Sequence, residues 1–159
     1  MIKQALLPLF TWLGHSALGQ AVADSKYAFA IIEVFHLFGI ILLLGSASLM
    51  ALRLVGLTMR DVKVSELSRQ LRWYSLVGLL TMITTGVMMV SSIPNKYYLS
   101  NLFWWKMGFF WTGFVFHFTI YRKVTRSDRI GLALGAFTAI VVVVLWYGTG
   151  AFGRAIGFF

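Results

Sequence analysis

Cysteine is absent from the 159 residues. That excludes disulfides, thiolate metal sites, Cys-ligated iron–sulfur clusters and covalent haem attachment through Cys-x-x-Cys-His. Any metal or haem has to be held by His, Met, Lys or carboxylate. Charge is scarce as well, at 12% of the chain, with only 5 Asp+Glu against 14 Lys+Arg. A soluble domain carries about 25% charged residues. Proline occurs twice, and there is no Pro/Gly/Ser-rich linker and no internal repeat, so the chain reads as one domain, 1–159.

What is present is apolar: 59% hydrophobic residues, 16% aromatic and a mean hydropathy of +0.81. So large an apolar excess cannot be hidden inside a single globule of this size. The composition excludes an ordinary soluble enzyme and a disordered tail, and leaves an integral membrane protein. The net charge of +9 would suggest nucleic acid in a soluble chain. In a membrane chain it follows from basic cytoplasmic loops, and no nucleic-acid partner is expected.

Four apolar stretches, at about 27–52, 74–93, 102–121 and 130–150, are long enough to cross a hydrocarbon core of about 30 Å. Backbone groups in lipid must be satisfied internally, so such runs are helices. Alternating segments of about 10 residues, the mark of a barrel, are lacking. Arg53, Arg60, Lys63, Arg69 and Arg72 lie between the first two spans. Arg122, Lys123, Arg126 and Arg129 lie between the last two. The positive-inside rule then puts both loops in the cytoplasm and both termini outside, as in a bacterial inner-membrane protein with periplasmic ends.

The segment before the first span resembles a signal peptide, with an early Lys3 and an Ala-Val-Ala before Asp24. Pro8 and His15 interrupt its apolar run, and Leu6, Phe10, Leu13 and Ala17 share one helical face. It reads as an amphipathic helix over about 4–22, lying on the outer membrane surface with a solvated His15. Residues 61–72 have helical spacing and predict a short surface helix. Pro94-Asn95-Lys96 predicts a tight outer turn. The expected fold is all-α: an integral-membrane four-helix bundle with an N-terminal amphipathic surface helix. Two small-xxx-small patterns, Gly131 to Gly135 and Gly153 to Gly157, suit close helix packing. Met82, Met88, Met89 and Met107 suit packing better than a copper path.

An ionisable group inside a span costs roughly 2.5–3.5 kcal/mol on insertion scales and so needs a reason. The spans hold four: Glu33, His36, Lys106 and His117. Glu33-x-x-His36 has the spacing of di-iron carboxylate bundles, but the further Glu residues those sites need are missing. At 1.5 Å per residue Glu33 lies about 9 Å from the outer face and Lys106 about 6 Å, so the two are expected to pair across the bundle. Histidines on different helices are the minimal requirement for a bis-His haem b. Depth complicates a shared iron, because His36 lies roughly 13 Å and His117 roughly 22 Å from the outer face. A tilted haem, two separate haems, a ligand from a neighbouring subunit, or His/Met ligation through Met107 or Met82 are the ways around this. A hydrolase reading lacks a Ser/His/Asp set and a second carboxylate.

The run Glu33-Val-Phe-His36-Leu-Phe-Gly39, then Leu44-Gly45-Ser46, then Leu52-Arg53-Leu54-Val55-Gly56-Leu57 resembles the first span of an uncharacterised bacterial four-helix inner-membrane family. Thr85-Gly86, Lys106 and His117 also match its pattern, and the resemblance covers roughly 27–123. Where that family has Asp-Leu-Arg-Leu, this chain has Ala51-Leu52-Arg53-Leu54, so no role for that Asp carries over. The resemblance implies that Glu33, His36, Lys106 and His117 belong to a family pattern; it implies no activity. At the level of fold alone the chain is also loosely similar to cytochrome-b-type and copper-resistance membrane bundles.

The leading expectation is a membrane haem b electron-transfer subunit linking a quinone pool to a periplasmic redox partner, more an accessory subunit than a stand-alone enzyme. His36 and His117 are the expected iron ligands, with Met107 in reserve. Glu33 and Lys106 serve protons or haem propionates, and Arg53 a propionate or quinone on the inner side. The rival is a non-redox membrane subunit: a small ion, proton or metal transporter, or the anchor of a larger complex. Self-association into a homo-oligomer is compatible with either.

Overall fold

The computed structural model describes residues 2–158, all of whose regular structure is helical. Eight α-helices follow in order: α1 (Ile2–His15), α2 (Ala17–Asp24), α3 (Ala28–Leu54), α4 (Val64–Ser92), α5 (Pro94–Leu99), α6 (Asn101–Phe116), α7 (Arg122–Thr125) and α8 (Leu132–Ile156). A π-helical turn, His117–Tyr121, joins α6 to α7 without a break in the helical hydrogen bonding. Three helices, α3, α4 and α8, are long and apolar enough to cross a membrane. Alone, α6 has 16 residues and spans about 24 Å at 1.5 Å per residue, short of a hydrocarbon core of about 30 Å.

The first apolar run emerges as a helix within two residues of its expected limits. The third is divided among α6, the π turn and α7, and the fourth runs six residues further, to Ile156. Two other elements differ in kind. The anticipated surface helix at 61–72 and the second span form one 29-residue helix, α4. No Pro or Gly stands between Val64 and Arg72 to stop it, so helical backbone continues through the change from polar to apolar. The predicted tight turn at Pro94 is a six-residue helix, α5, with Pro94 in its first turn, where the missing N–H costs no hydrogen bond.

The exit from α3 is a glycine stop. Gly56 has φ +72°; its N–H donates to Arg53 O and the Leu57 N–H to Leu52 O, the paired bonds of a Schellman motif. Arg53 reinforces the loop beyond, its guanidinium donating to Val62 O (2.8 Å) and Arg60 O (3.3 Å).

The main pairings run α4–α3–α8–α6. Between α3 and α4 the backbones touch: a Cβ on Gly78 would stand 2.7 Å from Gly39 O, and one on Gly39 2.9 Å from Gly78 O. Leu43, Ala47, Met50, Leu79, Val142 and Trp146 form the centre of the core. Outward-facing side chains such as Phe35, Phe38, Ile41, Leu80, Trp111, Phe137 and Ile140 are exposed, as expected where the surrounding solvent is hydrocarbon.

The N-terminal segment breaks at Ser16, whose hydroxyl accepts from the Gly19 N–H and donates to Leu13 O, capping α2. Its apolar face does not simply face lipid. Phe10 is buried among Tyr98, Phe103 and Trp104, with ring centroids 5.5–6.0 Å away. Leu7, Leu9 and Trp12 stay exposed, as does His15. Ala17, expected on the docked face, is exposed too, because the break at Ser16 re-aims the chain.

Candidate functional site

Polar side chains gather at two levels of the bundle. The first is built around His36, which is 6% exposed on α3. Its Nδ1 lies 2.8 Å from Thr85 Oγ1 on α4. Gly86, next along, leaves the space: a Cβ there would lie 3.4 Å from His36 Cε1. The Thr85 hydroxyl lies 2.5 Å from Thr81 O, the carbonyl one turn back, and its single proton goes there, the usual back-bond of a helical threonine. Thr85 therefore accepts, and His36 Nδ1 is the protonated nitrogen. Nε2 keeps its lone pair, is buried, and has no hydrogen-bond partner. This is the tautomer of a metal-ligating histidine, one ring nitrogen tied by a second residue and the other free to bind.

Lys106 reaches the same level from α6. It lies close enough for its charge to act on His36, and its Nζ would be 3.2 Å from a Cβ on Gly153 of α8. Gly153 is thus the gap in α8 that admits the lysine. Among the described residues Lys106 makes no ion pair. The expected Glu33–Lys106 pair does not form: Glu33 is half-buried one turn above His36 and acts on Tyr97 of α5. Burial first, and then the Glu33 charge, hold the Tyr97 hydroxyl above its ordinary pKa. Met107 packs on the outer aromatic cluster around Phe103.

The second level lies at the basic end. His117 opens the π turn and stacks on Tyr121, ring centroids 4.5 Å apart. Its Nδ1 is buried without a partner, as is Nε1 of Trp146, whose ring lies 6.0 Å away. His117 stands at the inner end of a cleft of about 380 Å³ between α4 and the π turn with α7. Arg69 and Arg72 line it from one side and Arg122 and Arg126 from the other, with Ser65, Ser68, Ser75 and Thr125 between them. Ser68 donates to Thr125 Oγ1 across it (3.1 Å). Just outside, Asp128 accepts from the Ser65 N–H at the start of α4 (3.0 Å). Hydrogen bonds from the Ser65 side chain and backbone hold this carboxyl below its ordinary range.

The two histidines are not brought together. On α4, Thr85 serves His36 while Ser75 lines the cleft with His117; ten residues separate them, about 15 Å of helix. One iron with both as axial ligands does not fit that separation. The Arg53 guanidinium is held by loop carbonyls. Sequence reasoning missed Thr85 as the partner of His36, Gly153 as the space for Lys106, the Gly39–Gly78 contact and the arginine cleft. Of the small-xxx-small pairs only one member each packs: Gly135 against Leu54 O and Gly153 against Lys106. Among the described residues no three His, Asp or Glu side chains group to hold a bare metal ion.

Residues 9–159 match the model described as "Family of unknown function (DUF6644)", and the chain belongs to that family. The match takes in every residue of both sites. No curated protein and no solved structure matches the chain.

Proposed function

We propose, for this member of a family of unknown function, a membrane electron-transfer subunit that carries haem b on its outer half and links a quinone pool to a periplasmic redox partner. The observation that carries the reading is the His36 ring: Nδ1–H given to Thr85, Nε2 buried with a free lone pair. Haem iron supplies reversible one-electron chemistry. The chain's own residues set its place. His36 would be the protein ligand, oriented by Thr85, with Met107 the thioether in reserve. Lys106, with no ion pair among the described residues, is suited to a propionate. His117, about 15 Å along the bundle, belongs to a different position and is not the second ligand of that iron.

In this reading the chain crosses the bilayer four times, the unbroken run of α6, the π turn and α7 serving as the third span. The basic loops face the cytoplasm of a bacterial inner membrane, in keeping with the positive-inside rule. A non-redox ion or proton subunit is the second reading, favoured by Lys106, which lies beside His36 and makes no ion pair among the described residues.

The test is the visible spectrum of detergent-purified protein from haem-replete cells, oxidised and then dithionite-reduced. A low-spin haem b spectrum is expected, lost in His36→Ala and retained in His117→Ala. A colourless wild-type protein overturns the haem and leaves the ion-site reading.

A further inference from the structure

The cleft at the basic end has no part in that reading, and its construction points to a ligand of its own. Four arginines line it from two segments distant in sequence: Arg69 and Arg72 from α4, Arg122 and Arg126 from α7 and the turn beyond. Among the described residues no carboxylate lines it. Asp128, which lies beside Ser65, is held by the start of α4. Four like charges around about 380 Å³ repel one another unless an anion lies among them. Guanidinium forks match phosphate oxygens in pairs, and the hydroxyls of Ser65, Ser68, Ser75 and Thr125 add donors between the forks.

The remaining wall is apolar. Leu71 and Leu76 of α4 and Phe118 of the π turn line it, so the cleft joins exposed arginines to apolar side chains. The π turn makes this shape. Such turns widen a helix locally and are frequent at ligand sites; this one presents His117, Phe118 and Tyr121 to the cleft together. Volume sets a limit: about 380 Å³ holds a phosphate with a few attached carbons, and excludes a whole lipid.

We propose that this cleft binds a phosphate group, held by Arg69, Arg72, Arg122 and Arg126 with the serine and threonine hydroxyls between them. Basic pockets between membrane helices take anionic lipid head groups in this way, and the apolar wall suits the first carbons of an acyl chain. Inorganic phosphate offers the same oxygens without the carbons.

Native mass spectrometry of the full-length, delipidated protein separates the sources. It is titrated with dioleoyl-phosphatidylglycerol, with dioleoyl-phosphatidylcholine and with inorganic phosphate. One phosphatidylglycerol is expected to bind well ahead of phosphatidylcholine. The R72Q/R122Q variant should weaken it about thirtyfold, at about 1 kcal/mol for each arginine near the surface and 1.4 kcal/mol per factor of ten. R72K/R122K keeps the charge but loses the forks and should fall between. R60Q/R129Q, at the same end but outside the cleft, should bind as wild type and controls for bulk charge. Saturation by inorganic phosphate with no preference for phosphatidylglycerol keeps the phosphate site and assigns it a soluble ligand. Equal binding of both lipids without phosphate binding, or equal loss in R60Q/R129Q, overturns the proposal. A monodisperse elution profile for each variant excludes misfolding as the cause. The experiment needs no haem, so its result is separate from the test of electron transfer.

Discussion

At the scale of single residues, the most consequential atom is the hydroxyl of Thr85. It decides which nitrogen of His36 carries the proton. Thr85→Val is close to isosteric and removes the hydroxyl that the buried imidazole meets, at a cost of about 1–3 kcal/mol. A thermal melt in detergent should show that loss. Two-dimensional nitrogen spectra should show a single Nδ1-protonated tautomer of His36 in wild type and a mixture in the variant. A single tautomer in both would mean that Thr85 does not set it. The sequence made His36 conspicuous, because imidazole in an apolar run is unusual. It did not reveal Thr85, since threonine in a span is ordinary and only the rotation of α4 against α3 turns it inward. The Glu33–Lys106 expectation failed for the same reason. Rise per residue gives depth along a helix; it says nothing of azimuth, and Lys106 turns toward His36 and Gly153 while Glu33 turns toward Tyr97.

At the scale of elements, the seam between α3 and α4 depends on two glycines facing each other. Each backbone carbonyl occupies the place where the partner's Cβ would stand. Gly78→Leu must push the helices apart, and overpacking of this kind costs about 1–3 kcal/mol or more. Gly45, with nothing within 4 Å of its Cβ position, is the control: Gly45→Ala should be neutral or slightly stabilising through helix propensity. Melting temperatures of the two variants check this. The helices themselves were legible because uninterrupted apolar runs leave the backbone one solution in lipid. The start of α4 was not, because the boundary was placed where the charge ended, whereas a helix ends where its hydrogen bonds do. Pairing between helices was illegible as well: the small-residue patterns picked out Gly131 and Gly157, which touch no other helix, and passed over Gly39 and Gly78.

At the scale of the whole molecule, the chain divides its chemistry between its ends, with His36 and Lys106 toward one and the arginine cleft at the other. The absence of cysteine makes the membrane arrangement directly measurable. Ser127→Cys, in the α7–α8 loop, and Asn95→Cys, on α5, place single thiols at opposite ends. With the basic end in the cytoplasm, an impermeant maleimide should label position 95 in intact spheroplasts and position 127 only after permeabilisation. The reverse pattern would invert the molecule, and labelling of both from one side would remove a span. The π turn has a further bearing on such a bundle. Each residue of an α-helix advances the chain by about 100°, so adding or removing one residue in a span normally twists everything beyond it out of phase. The five residues from His117 to Tyr121 form a slack link where one residue can be lost by reverting to ordinary helix. Both α6 before it and α7 beyond it would keep their phase, and only the side chains of the turn, His117, Phe118 and Tyr121, would be re-aimed at the cleft. Chain length at this one point therefore tunes the basic cleft independently of the His36 site.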